Sequence, residues 1–142
     1  MKIQQAIMVA TLLLAPAVAF ADEESPARLF LQEVNGSFVS CARLVGESDR
    51  NARLYGQLAP SSTGKIGDCA NNGRDRVKKA FDSYVASQPD DAAKASAKSV
   101  YAASLAYADA IAHASTRSDL DNGLAQAELS KAKSMFVIES GL

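Results

Sequence analysis

The chain has 142 residues, 15 Lys/Arg against 16 Asp/Glu, a net charge of −1, one His and two Cys. That balance argues against a nucleic-acid binder, which is expected to be strongly basic. A single His and two distant Cys supply no metal-ligand spacing.

The N-terminal stretch reads as a targeting segment. Met1-Lys2 is a short basic start, Ala6 to Ala19 is a mostly apolar run, and Ala19-Phe20-Ala21 offers small residues where a signal peptidase reads. Residues 1–21 are expected to be a signal peptide cleaved after Ala21, leaving 22–142 as a single helical domain. The run is shorter than the roughly 20 apolar residues a spanning helix needs, so no membrane span is expected after cleavage. The expected location is the periplasm, or outside the cell. Removal of the segment takes Lys2 and no acidic residue, so the mature charge is −2.

Ser25-Pro26 opens the first helix, with Ser as N-cap and Pro at the first helical position. Phe30, Val34, Phe38, Cys41 and Val45 recur every three or four residues and predict one helix over about 26–45. Gly36 marks a candidate close helix contact and Gly46 a candidate stop. Residues 47–65 are the least regular part: a short helix to Leu54-Tyr55, then a loop over Ala59-Pro60-Ser61-Ser62-Thr63-Gly64 by composition. The next helix is expected over about 67–87 and ends before Pro89. Asp90 or Asp91 starts an alanine-rich helix over about 90–115, with Ala93, Ala97, Val100, Ser104, Ala108 and Ile111 on one face. Ser118 is expected to cap a last helix over about 119–139. That helix has one stripe of Leu120, Leu124, Ala127, Met135 and Ile138, and a second of Leu129, Ala132 and Phe136, the pattern of a helix packed on two neighbours. The fold class is all-α, a roughly up-and-down four-helix bundle.

In an oxidising compartment the lone pair Cys41 and Cys69 is expected to be one disulfide. Redox-active pairs typically sit close together, as in Cys-X-X-Cys; these are 28 positions apart, which favours a structural bond. His113 falls on the outer side of its helix, so a ligand, haem or catalytic role is not expected. Ser130-Lys131-Ala132-Lys133 fits Ser-X-X-Lys, but the chain is far too short for that fold. Ser62-Thr63-Gly64-Lys65 lacks the first Gly of a phosphate loop. Asp119-Leu120-Asp121-Asn122-Gly123 has its Gly one position early for a calcium loop and Ser130 where Glu is needed. Asn35-Gly36-Ser37 fits a glycosylation sequon inside a helix. No cofactor and no enzymatic activity are expected.

Charge is uneven along the chain. Residues 43–79 hold eight Lys/Arg against four acids, while 22–42 and 80–142 are each −3. Arg50, Arg53, Tyr55, Lys65 and Arg74 are therefore the candidate residues for binding a protein partner with an acidic surface; an ordinary solvated helix face is the competing reading.

The run Cys41-Ala42-Arg43-Leu44-Val45-Gly46, the loop to Cys69, the helix ending Tyr84-Val85-Ala86-Ser87-Gln88-Pro89 and the alanine-rich helix after it resemble, over about 41–110, the small periplasmic immunity proteins of type VI secreted amidase effectors, the Tai-type group. The resemblance implies an all-helical toxin-binding protein that uses surface loops and performs no catalysis. The expected function is thus that of a non-enzymatic inhibitor or immunity protein. A periplasmic chaperone or stress protein is the alternative, and a cofactor-binding helical bundle a third. The oligomeric state is left open.

Overall fold

The structure is a computed structural model that describes residues 24–56, 60–88 and 90–142. The expected signal peptide and its cleavage point lie outside the described residues, as do Ala59 of the expected loop and Pro89. Six helices form among the described residues: α1 (Pro26–Ser37), α2 (Val39–Tyr55), α3 (Pro60–Ser87), α4 (Asp91–His113), α5 (Arg117–Asp121) and α6 (Leu124–Ser140). They make an all-α four-helix bundle whose first and last helices are each broken once. No described residue is in a strand.

The starts follow local chemistry. Ser25 Oγ accepts from the Arg28 N–H at 3.3 Å, with Pro26 beside it. The Asp90 carboxylate accepts from the N–H groups of Ala92 and Ala93. Thr116 and Asp119 cap α5 reciprocally, each side chain accepting the other's backbone N–H. The cap of the last helical segment is thus Thr116 rather than Ser118. The segment also breaks at Asn122-Gly123, where a Cβ on Gly123 would meet the Asp119 carbonyl oxygen at 3.0 Å.

Three further expectations are corrected. The first helix does not run unbroken to 45, because Phe38 ends α1 and starts α2 at φ −115° and ψ −3°. Gly46 is no stop: α2 continues through it to Tyr55 and ends at Gly56, which takes the left-handed conformation at φ 71°. The Arg117 stem lies against α2 there, 3.8 Å from where a Cβ would stand, an ordinary contact. The loop expected around 59–64 is largely the first turn and a half of α3, which begins at Pro60.

The core gathers where α4 packs on both α3 and α6 and where α1 packs on α3. The Phe30 ring lies 5.6 Å from Tyr84 and 5.5 Å from Phe136, and Tyr84 and Phe136 are 5.3 Å apart. Such triangles add about 0.5–1.5 kcal/mol per pair beyond burial. Along α4 the expected face is buried at Ala97, Val100, Ser104, Ala108 and Ile111. The Ser104 hydroxyl donates to the Val100 carbonyl at 2.8 Å, so its burial leaves no unmet donor.

Cys41 and Cys69 are bonded, with Cα atoms 5.5 Å apart, a usual disulfide separation. The bond ties α2 to α3. Close packing here falls at Gly73 rather than at Gly36. A Cβ on Gly73 would overlap the Phe38 ring and sit 3.1 Å from the Ser37 carbonyl oxygen, whereas one on Gly36 meets only the Arg76 guanidinium at 4.0 Å.

Candidate functional site

An open groove of about 670 Å³ lies between α2 and α6. One wall is the end of α1 and the first three turns of α2; the other is α6. The helical repeat explains the first wall. Val39, Ala42, Arg43, Gly46 and Arg50 recur at three or four, so they share one side of α2, and the small Ala42 and Gly46 hollow it. Leu129 supplies the apolar part of the α6 wall, and Tyr107 reaches the floor from α4. The Phe38 ring meets Tyr107 edge-on at 5.9 Å.

The rim is cationic. Arg43, Arg50, Arg117 and Lys133 line the groove against one acid, Glu47. Arg43 pairs with Glu47 at 3.5 Å on an exposed surface, a contact that costs little to open. Lys133 Nζ donates to Asn35 Oδ1 at 2.9 Å. Arg50 is exposed and forms no ion pair among the described residues. Gln126 Oε1 is buried in this wall without a hydrogen-bond partner among the described residues.

One end of the groove is closed by a polar lock. Arg117 Nη1 donates to the Ala42 carbonyl at 2.8 Å and its Nε to Asp121 at 2.8 Å. The Arg117 backbone N–H donates to Asp49 at 3.3 Å. Asp49 also takes two hydrogen bonds at 3.0 Å from Arg53. The Arg53 guanidinium is the main reason the Asp49 carboxyl titrates below its usual range; the Arg117 N–H acts the same way, and partial burial opposes both. Burial pushes the Tyr107 phenol up, with the Arg117 charge pulling the other way. The groove floor therefore holds a neutral phenol at physiological pH.

The residues expected to bind a partner do not form one patch. Arg50, Arg53 and Tyr55 share the second half of α2, and only Arg50 lines the groove. Arg53 is committed to Asp49. Tyr55 is 78% exposed beside the end of the helix. Lys65 stands on early α3 in a shallow depression next to Cys69. Arg74 pairs with Asp109 and so crosses from α3 to α4. His113 is exposed at the end of α4, with Nδ1 at 2.8 Å from the Asp109 carbonyl.

Sequence reasoning missed Arg117, Lys133, Tyr107 and Gln126. Arg117 and Lys133 fall in the segment of net −3, where averaging hides single cations; only folding brings them opposite α2. Among the described residues no group of three or more His, Cys, Asp or Glu is placed to hold a metal ion, and no helix is long and apolar enough to cross a membrane. No protein-family model matches the chain, and neither does any curated protein or solved structure.

Proposed function

We propose that the chain is a non-enzymatic exported protein that binds a protein partner through the α2–α6 groove, as an inhibitor or immunity protein against a toxin or envelope enzyme. The observation that carries this reading is the pairing of an apolar groove, with Val39 exposed over the largely buried Val34, Phe38 and Leu129, with a cationic rim in which Arg50 forms no ion pair among the described residues. Interfaces bury apolar anchors at the centre and take Arg and Tyr preferentially. A partner segment that presents an apolar side chain flanked by Asp or Glu would satisfy both features. The disulfide supports the reading, since it fixes α2, one wall of the groove, to α3.

The test is co-expression in the periplasm with secreted amidase effectors encoded in the same genome. Protection from lysis by the wild-type chain, and loss of it in an Arg43→Glu/Arg50→Glu/Lys133→Glu variant that still folds, is the expected result. Protection by neither chain, or equal protection by both, counts against the reading.

The chaperone reading draws on a different observation: outside the groove Leu54 is 62% exposed and Leu29 49%, and exposed apolar surface can hold unfolded clients. It predicts suppression of aggregation of unrelated proteins, with no dependence on Arg50 or Lys133.

A further inference from the structure

The outward side of α6 carries three exposed large apolar side chains. Its inner side is well used, with Phe136 fully buried and Leu129 nearly so. The other apolar stripe, assigned by periodicity to a second neighbour, has none. Leu124 is 81% exposed, Ile138 79% and Met135 51%. A helix that is apolar on opposite sides is normally covered on both.

Two charges interrupt the stripe. Leu124, Glu128, Lys131, Met135 and Ile138 recur at steps of four, three, four and three, the alternation of a coiled-coil seam. Glu128 and Lys131 are exposed, and neither forms an ion pair among the described residues. Ala127 and Ser134 flank the stripe with small side chains, which lets a second helix approach.

This pattern is self-complementary in one register. When two copies of α6 run antiparallel about a two-fold axis between positions 128 and 131, Glu128 of each faces Lys131 of the other. Leu124 of each then faces Met135 of the other. The apolar layers lie outside the two charge layers, and the two-fold repeats both contacts, as an isologous interface requires; Ile138 lies beyond them, opposite position 121 of the other copy, which precedes α6. A register centred on Lys131 would set like charges together and is disfavoured.

We infer that α6 is the interface of a symmetric antiparallel homodimer, held by Leu124–Met135 contacts and specified by two Glu128–Lys131 pairs between copies. The interface is separate from the groove. Gln126, Leu129, Ser130 and Lys133 lie on the other side of α6, so a dimer presents two open grooves. One helix face on each side falls at the low end of interface sizes, so the dimer forms in a concentration-dependent equilibrium.

The test is sedimentation velocity of the mature chain over a concentration series, with charge variants at exposed positions that the fold does not use. The expected wild-type result is a shift from monomer toward dimer as concentration rises. Glu128→Lys and Lys131→Glu should each hold the chain monomeric, since each sets like charges together. The double variant Glu128→Lys/Lys131→Glu restores opposite charges and should recover the dimer. A wild-type chain that stays monomeric throughout leaves the stripe to some other partner and overturns the inference. A dimer that survives the single reversals, or one that the double swap fails to restore, also overturns it.

Discussion

The backbone N–H of Arg117 donates to the carboxylate of Asp49 at 3.3 Å, across 68 positions of sequence. With the Arg117 guanidinium on the Ala42 carbonyl, this contact docks the short α5 onto α2 and closes one end of the groove. Five residues cannot hold a helix alone, so α5 depends on the capping box and on this bond.

Replacing Asp49 with Asn should lower Tm and loosen α5. Its carboxyl titrates below the usual range in the folded chain, chiefly through Arg53. The stabilisation it gives is therefore complete above the unfolded value, about pH 4, and is lost as pH falls further. Thermal melts at a series of pH values should show the wild type losing stability below about pH 4. Asp49→Asn should start lower at neutral pH and fall less steeply in acid. Parallel pH curves would contradict the assignment.

Reduction of the Cys41–Cys69 bond, or the Cys41→Ser/Cys69→Ser change, should cost about 3–4 kcal/mol by the loop-closure argument. Urea unfolding with and without reductant measures it.

The glycines separate packing from flexibility. Gly73→Ala should destabilise by about 1–3 kcal/mol, because its methyl must displace the Phe38 ring or the backbone at Ser37. Gly36→Ala meets only the end of the Arg76 side chain and should stabilise by up to about 1 kcal/mol through helix propensity. Chemical denaturation of the two variants checks the contrast.

Much of this fold is legible in the residue pattern. The stripe Phe30, Val34, Phe38, Cys41, Val45 is the buried face of α1 and α2, and it stays in phase across the break because Phe38 itself fills the core at the junction. The helix ends were harder. Gly46 looks like a stop and Gly64 like the end of a loop when read locally, yet α2 and α3 each carry their Gly at a cost of roughly 1 kcal/mol. The candidate site was legible in part. Arg50 stood out because basic residues are dense around it in sequence. Arg117 and Lys133 did not, since a groove between α2 and α6 joins residues more than 70 positions apart, and no local window of charge contains both walls.

Cation reversals should sort by location. Arg50→Glu should weaken partner binding about tenfold or more, with an effect that shrinks as salt rises. Arg74→Glu should instead disturb the α3–α4 contact with Asp109, lowering Tm while leaving the affinity of the remaining folded protein close to wild type. If Arg74 and Lys65 reversals weaken binding as strongly as Arg50, the binding surface lies over the disulfide rather than in the groove.

The most direct measurement is isothermal titration of a partner recovered by the wild-type chain against wild type and the Arg43→Glu/Arg50→Glu/Lys133→Glu variant, at low and physiological salt. The groove account predicts one partner per chain, loss of binding in the variant at both salt concentrations, and tighter wild-type binding at low salt. Undiminished affinity in a folded variant would contradict it.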